Sequence, residues 1–162
     1  MKIDMSVEYE FFYNGPFSQW YYSPFSESGL KFNCAEQYMM YHKAKLFNDT
    51  KSVTKIMASD SPAVQKALGR KVNNFNVEKW NNIARNIVYR GNLLKFNNNK
   101  DLKDILLSTA PKVLVEASPY DTIWGIGLDE SEAIITPVIN WKGKNWLGLV
   151  LTELRNNYIM SN

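Results

Sequence analysis

Cysteine and histidine are almost missing from this sequence: among 162 residues, Cys34 and His42 are the single representatives of their types. An internal disulfide is therefore excluded, and the thiolates and imidazoles that form zinc sites are too few. A reducing cytoplasm is the compartment that fits this composition best. We expect the protein to use no metal and no cofactor.

Long hydrophobic runs are also missing. No segment approaches the roughly 18 uninterrupted apolar residues that a membrane span needs. The N-terminal stretch MKIDMSVEYEFF has no apolar core of signal-peptide length. We therefore expect a cytoplasmic protein without a membrane partner.

Several well-known catalytic motifs are absent. The sequence has no G-x-x-x-x-G-K-[ST] phosphate loop, no H-E-x-x-H and no G-x-S-x-G. The W-G-I-G segment at 124–127 lacks the third glycine and the following helix of a dinucleotide-binding fold. These absences argue against phosphate-loop kinases, zincins and serine hydrolases.

The charge and the aromatic content leave several partners open. The formal net charge is +3 and the lysines are scattered, which permits contact with phosphate or nucleic acid without arguing for either. Rings lie near turn residues at Trp20, Tyr21, Tyr22, Trp124 and Trp146. Such rings can stack on a planar ligand, and they can equally cap a hydrophobic core.

The order of hydrophobic and turn residues predicts one mostly helical domain over 1–162. At 45% hydrophobic residues the chain can bury a core without disulfides. An extended segment is expected over 7–13, and a hairpin over 21–32 with SESG as its loop. The fold class that follows is α+β: a predominantly helical single domain with a small antiparallel sheet.

Capping residues and apolar periodicity set the expected helices. Asn33 is expected to cap the first helix, with Glu36 as the capping-box acid three residues later. The other helices are expected over 50–58, 61–69, 76–96, 101–107 and from 145 onwards, with a strand over 113–116 and a loop over 129–143.

Glu36 and Lys43 are the first candidate pair. Seven residues is two helical turns, so both side chains share one helix face, about 10 Å apart along the axis. A first-turn acid that favours the helix dipole and a surface lysine would show the same spacing. Physics alone therefore leaves a functional and a structural interpretation.

Three further side chains have competing interpretations. Asp121 lies between Pro119-Tyr120 and W-G-I-G, where it could act in a site or form an Asx turn. Cys34 could be a nucleophile near a helix start or a small buried hydrophobe. His42 is rotated away from Glu36 and fits an ordinary packing residue better than a base.

Five ordered segments together resemble one known family, the NADAR or YbiA-like N-glycosidases. The segments are GPFSQWYYSPF, FNCAEQYMMYHKAKLFND, VNNFNVEKWNNIARNIV, LLKFNNNKDLKDILLSTAPKVLVEASPYDTIWGIGL and WKGKNWLGLVLTELR. They cover nearly the whole chain, and the strings around A-E-Q-Y-M-M and V-E-A-S-P are long and distinctive.

The resemblance implies a helical α+β domain that hydrolyses the N-glycosidic bond at ribose C1′ of phosphate-bearing compounds. Family members act on riboflavin-pathway intermediates such as 5-amino-6-ribosylaminouracil 5′-phosphate. Others remove ADP-ribose from guanine in DNA and so oppose a toxin ADP-ribosyltransferase. The partner expected here is one of these two substrates.

The resemblance also implies the site residues. Glu36 matches the family's catalytic glutamate and would activate water, while Asp121 would stabilise the cationic sugar and Lys43 would bind phosphate or assist the leaving group. Trp124, which lies in the family's pocket together with Asp121, would stack on the base. The expected substrate-binding residues are Gln19, Trp20, Trp124, Gly125, Gly127, Asn145 and Arg155.

The chain departs from the family pattern at two points: Gln19-Trp20 stands where many members have Asn-Phe or Asn-Trp, and His42 replaces a glutamine. These departures affect substrate preference more than the reaction. Two alternatives remain: an ADP-ribose sensor that does not hydrolyse its ligand, and a DNA-binding protein. The second would need a basic stripe that the sequence does not have.

Overall fold

Residues 7–161 are the part of the chain that the computed structural model describes. Residues 1–6 of the N-terminal stretch considered above, and residue 162 of the expected 1–162 domain, lie outside the described residues. In chain order the elements are β1 (Tyr9–Phe12), β2 (Phe25–Glu27), β3 (Leu30–Phe32), α1 (Ala35–Leu46), α2 (Thr50–Ala58), α3 (Pro62–Gly69), α4 (Val77–Asn97), α5 (Lys100–Ser108), β4 (Val113–Glu116), α6 (Glu130–Ile135), a 3-10 turn (Val138–Asn140) and α7 (Trp146–Met160).

The described chain divides into two compact units. One is the continuous segment Gln19–Lys100, and the other combines residues 7–18 with residues 101–161. The expectation of one domain over 1–162 stays a prediction.

The antiparallel sheet of the Gln19–Lys100 unit is a hairpin of β2 and β3, in which Phe25 pairs with Phe32 and Glu27 with Leu30. Ser28 and Gly29 form its turn with φ of 51° and 83°, the left-handed geometry of a two-residue hairpin turn. The predicted first strand over 21–25 is therefore displaced. Before Phe25 the chain bends, because the Ser23 hydroxyl donates to the Tyr21 carbonyl.

Helices α2, α3 and α4 begin within one residue of their predicted starts, and the residues before them, Asp49, Ser61 and Asn76, each cap by accepting from a backbone amide of the following turn. The expected cap of α1 is wrong. The N-cap residue is Cys34, and the Asn33 side chain donates instead to the Asp60 carbonyl.

The capping-box role in α1 also belongs to another residue. Gln37, not Glu36, accepts from the Asn33 amide, with its Oε1 at 2.8 Å. Glu36 lies in the buried part of the helix.

The long helix α4 packs closely on α1. A Cβ added at Gly91 would lie 2.6 Å from the Tyr38 ring, so only glycine allows this approach. Tyr38, Ala84 and Phe96 are fully buried beside it. Of the apolar positions that recur with helical period in the sequence, Trp80, Ala84, Ile87 and Gly91 are buried, whereas Ile83 is exposed.

In the second unit, the two segments predicted to be extended, over 7–13 and 113–116, form strands whose pairing the sequence did not predict. β1 and β4 pair in parallel, with Tyr9 opposite Val113 and Phe12 opposite Glu116. Helix α7 packs on β4: the Thr152 hydroxyl accepts from the Leu114 amide at 2.9 Å, and a Cβ added at Gly148 would lie 2.2 Å from the Leu114 carbonyl oxygen. The expected small antiparallel sheet is confirmed in the hairpin, and the parallel pair is a separate two-stranded sheet.

The predicted loop over 129–143 contains a helix and a 3-10 turn. Asp129 caps α6 by accepting from the Glu132 amide at 2.8 Å. Trp141 packs on the cluster of Val115, Ile126, Leu128 and Ala133. The fold class is confirmed as predominantly helical α+β. Among the helices of residues 7–161, none is long and apolar enough to cross a membrane.

Candidate active site

Glu36 is a buried carboxylate in the first turn of α1. Its residue is only 4% exposed, and its backbone amide donates to the Gln19 carbonyl at 2.9 Å. Burying a carboxylate costs free energy unless neighbouring groups compensate its charge. Such a group in a protein interior is a candidate for chemistry.

Lys43 lies on the same side of α1 as Glu36, as the two-turn spacing predicted. Its Nζ is 4.6 Å from the centroid of the Phe75 ring and 5.8 Å from that of the Trp80 ring. Burial lowers the pKa of Lys43, the charge of Glu36 opposes this shift, and that of Arg70 adds to it. The lysine is therefore half-buried between rings and charges, and not the surface cation of the structural interpretation.

Gln19 and Trp20 lie next to Glu36 through the Gln19 carbonyl. The Gln19 side chain is buried, and its Oε1 accepts from Asn92 Nδ2 at 2.9 Å. Trp20 is 45% exposed, with Lys66 Nζ 5.9 Å from its ring centroid. An exposed ring beside a cation can stack on a planar, negatively charged ligand.

Lys95 is a buried lysine that the sequence analysis missed. It is fully buried in α4, and burial lowers its pKa to about 7, with the Cys34 thiol acting in the opposite direction. The signal was present: position 95 follows Gly91 by four residues and so continues the apolar stripe of this helix. A lysine at an apolar position of an amphipathic helix predicts a buried polar group in the core.

Cys34 and His42 have structural surroundings. The Cys34 thiol donates to Gln65 Oε1 at 3.2 Å, and burial raises its pKa to about 11. A thiol in this state is a poor nucleophile. His42 packs on the Tyr38 ring, and its pKa is lowered mainly by burial. Both structural interpretations are favoured.

Asp121 forms an Asx turn. Its Oδ1 accepts from the backbone amides of Ile123 at 2.9 Å and Trp124 at 2.8 Å. The Trp124 ring packs edge-on against Trp146, with centroids 5.5 Å apart. Asp121 therefore holds the loop that presents Trp124, which is the structural alternative considered for this residue.

The glycines of this loop are explained by contacts within the chain. A Cβ at Gly125 would lie 3.0 Å from the carbonyl oxygens of Asp121 and Glu116. Gly127 has φ of 71°, and a Cβ at Gly143 would lie 2.1 Å from the Gly125 carbonyl. The chain's own atoms approach these glycines closely, and a ligand is not needed to account for them. Gly125 and Gly127 as substrate-binding residues stay a prediction.

Asn145 ties the start of α7 to β4. Its Oδ1 accepts from the Glu116 amide and its Nδ2 donates to the Leu114 carbonyl, both at 3.0 Å. The amides of residues 144–147 donate to the carbonyls of residues 122–125 at 3.0 to 3.1 Å. The amides of residues 144–147 are therefore already hydrogen-bonded and are not available to a phosphate group, and the role of Asn145 in substrate binding stays a prediction.

Arg155 is only 2% exposed, and its guanidinium is used inside the same unit. It donates to Thr109 Oγ1 at 3.1 Å, to the Lys112 carbonyl and to Asn156 Oδ1. Burial lowers its pKa. These contacts indicate a residue that stabilises the fold, and they give no support to the predicted ligand contact.

The Gln19–Lys100 unit thus brings together a buried carboxylate, a lysine with a lowered pKa and an exposed aromatic ring. A carboxylate can take a proton from water, and a lysine of lowered pKa can give one to a leaving group. Within residues 7–161, no three metal-ligating side chains lie close enough together to hold a metal ion. Asp121, Trp124, Asn145 and Arg155 belong to the other unit.

Several known proteins are similar to this chain in sequence, and one solved structure is similar to it in fold. N-glycosidase R617 of Acanthamoeba polyphaga mimivirus is 48% identical over 144 residues, which is 86% of this chain and 85% of that protein. The chloroplastic riboflavin biosynthesis protein PYRR of Arabidopsis thaliana is 33% identical over 66% of this chain and 17% of its own length. The NMR structure of the E. coli protein YbiA has a TM-score of 0.78 and 28% identity, covering 97% of this chain and 88% of that one.

A family model agrees with these likenesses. The NADAR domain model matches residues 10–158, which include the whole Gln19–Lys100 unit, most of the other unit and every candidate residue named above. The chain therefore belongs to the NADAR domain family.

Proposed function

We propose that this protein hydrolyses the C1′–N bond of ribosylated, phosphate-bearing compounds. The observation that carries the proposal is the buried carboxylate of Glu36, whose charge acts on Lys43. Family membership and the name of the mimivirus relative, an N-glycosidase, support the same reaction class. A cytoplasmic location belongs to this proposal.

The reaction needs a base for water and a way to neutralise the departing nitrogen. Glu36 accepts a proton as the water oxygen forms a bond to C1′. The C1′–N bond breaks with its electron pair on nitrogen, which then takes a proton. The transition state resembles an oxocarbenium ion, so negative charge near C1′ stabilises it. Asp121 is the second carboxylate that the proposal assigns to the cationic sugar.

Lys43 has two compatible duties. Its lowered pKa makes the ammonium a better proton donor to the leaving nitrogen than an ordinary lysine. Its charge, with that of Arg70 close enough to affect its pKa, also suits a phosphate group. The exposed ring of Trp20 would stack on the planar base.

Two substrates fit this chemistry. One is 5-amino-6-ribosylaminouracil 5′-phosphate, which the riboflavin-related name of the PYRR relative favours. The other is guanine in DNA that carries ADP-ribose, in which case the protein would oppose an ADP-ribosyltransferase toxin.

Mass spectrometry of the products tests the proposal. Wild type and Glu36→Gln are incubated separately with each substrate. We expect release of ribose 5-phosphate or of ADP-ribose by the wild type, and a fall in turnover of at least about a hundredfold in Glu36→Gln from loss of the base. Preserved turnover in Glu36→Gln would reject its role.

A matched control tests whether the fall in turnover is specific to Glu36 or follows from replacing any glutamate in the first turn of a helix. Glu78 is the exposed first-turn acid of α4, so Glu78→Gln should leave turnover unchanged. Tight ADP-ribose binding without either product would reject hydrolysis and leave a sensor.

A further inference from the structure

Asn92 lies in the middle of α4 and is fully buried. Its Nδ2 donates to the Val88 carbonyl at 2.8 Å and to Gln19 Oε1 at 2.9 Å. Asn92 Oδ1 and Gln19 Nε2 are both buried and have no hydrogen-bond partner within residues 7–161. One amide pair therefore holds an unused acceptor and an unused donor in the protein interior.

The orientation of both amides is fixed by the Val88 carbonyl. A carbonyl only accepts, so the nitrogen of Asn92 must face it. The same nitrogen faces Gln19, which must therefore present its oxygen. It follows that Gln19 cannot use Nε2 to bind Asn92. Asn92 sets which end of the Gln19 amide remains available.

An unused buried donor destabilises a folded protein, and such a group in a native structure calls for a partner. The position of Gln19 in the fold indicates what kind of partner this donor has. The Gln19 backbone carbonyl accepts from the Glu36 amide, so the donor belongs to a residue bonded to the candidate base. Under the proposed function, the bond that Glu36 acts on is at ribose C1′, which would bring the ribosyl group into this region.

We propose that Asn92 is a positioning residue that orients the Gln19 amide so that Gln19 Nε2 donates to a hydroxyl oxygen of the ribosyl group. This inference rests on the proposed function for the identity of the ligand. A sugar hydroxyl both accepts and donates, which fits a site that offers a donor and an acceptor. Asn92 acts through Gln19, and the sugar contact is made by Gln19.

The first test uses the wild-type protein and nuclear magnetic resonance of the Gln19 side-chain amide, assigned with Gln19→Glu. Ribose 5-phosphate is titrated, with inorganic phosphate as the matched probe that has no sugar. We expect the Gln19 amide signals to shift with ribose 5-phosphate and to stay in place with phosphate. An equal response to both probes, no response, or no binding of ribose 5-phosphate would overturn the proposal.

The second test separates positioning from general stability. Asn92→Ser keeps a hydroxyl that can donate to the Val88 carbonyl but is too short to reach Gln19. We expect it to weaken ribose 5-phosphate binding by roughly three- to tenfold, the loss of one hydrogen bond, and to abolish the Gln19 response. A retained response in this variant would reject the role of Asn92.

Asn98 offers the matched control. Its Nδ2 donates to the Leu94 carbonyl four residues earlier, as Asn92 does to Val88, but it is exposed. Asn98→Ala should leave ribose 5-phosphate binding unchanged. A Gln19 response without turnover of any N-glycoside would reject the proposed reaction alone, whereas turnover without that response would reject this inference alone.

Discussion

Lys95 lies in an environment far from that of a free lysine side chain, because it is fully buried. Its pKa in the folded chain is about 7, against 10.5 for an ordinary lysine. Between these values the unfolded chain binds one proton more than the folded chain, so the free energy of unfolding rises with pH. The full slope is about 1.4 kcal/mol per pH unit.

Lys95→Met removes this dependence. We expect the stability of the wild type to rise relative to that of Lys95→Met between about pH 7 and 9, a range that ends where a free thiol begins to titrate. Denaturant unfolding at several pH values measures the difference. Parallel stability curves for the two proteins would show that Lys95 keeps an ordinary pKa in the folded chain.

Asp121 allows charge and turn geometry to be separated. Asp121→Asn keeps the oxygen that accepts from the amides of Ile123 and Trp124, so stability should stay within about 0.5 kcal/mol. Asp121→Ala loses both bonds and should cost about 1–2 kcal/mol. If the charge stabilises the cationic sugar, Asp121→Asn lowers turnover about tenfold or more. Normal turnover in that variant would leave Asp121 with the turn alone.

The sequence could indicate the spacing of Glu36 and Lys43 but not their burial. Residues 35–40 of α1 are all buried, so this segment has no polar face that a pattern could reveal. The aromatic pair around Lys43, Phe75 and Trp80, comes from a distant part of the sequence. Such surroundings depend on tertiary packing, which periodicity does not contain.

Among the elements, local signals were reliable and distant pairings were not. The caps at Asp49, Ser61 and Asn76 were predictable because each involves residues three positions apart. The parallel pairing of β1 with β4 joins residues about a hundred positions apart, and short strands have no local signature of their partner. The helix α6 was missed although Asp129 and Glu132 form a capping pattern.

The start of α7 gives a prediction at the element scale. Asn145 has φ of 53°, and its side chain bonds two backbone groups of β4. Asn145→Ala loses both buried bonds and strains the left-handed backbone, so we expect a loss of about 2–4 kcal/mol in stability.

Thermal unfolding and steady-state kinetics of Asn145→Ala distinguish this structural role from ligand binding. A lowered melting temperature with an unchanged KM supports the structural role. An unchanged melting temperature with a raised KM would instead restore Asn145 as a ligand contact. Asn145→Gly, which relieves the backbone strain and still lacks the side chain, measures the hydrogen bonds separately.

At the scale of the whole molecule, we expect ligand binding to raise the free energy of unfolding and the melting temperature. A ligand at a hundred times its Kd stabilises the folded chain by about 2.7 kcal/mol, or roughly 5–11 °C in melting temperature for a chain of this size. Glu36→Gln keeps the shape of the side chain and removes its basicity. If Glu36 acts on water, the wild type and Glu36→Gln should gain similar stability from ADP-ribose or from ribose 5-phosphate.

Differential scanning calorimetry with each compound measures this gain, and Glu78→Gln provides the reference for a changed acid outside the site. The comparison separates chemistry from binding because the base is needed only for the reaction, whereas binding contributes to the stability of every folded variant. Loss of the ligand-dependent gain in Glu36→Gln would show that the carboxylate holds the ligand. The fall in turnover would then reflect weaker binding, and the assignment of the water-activating base would have to move to another residue.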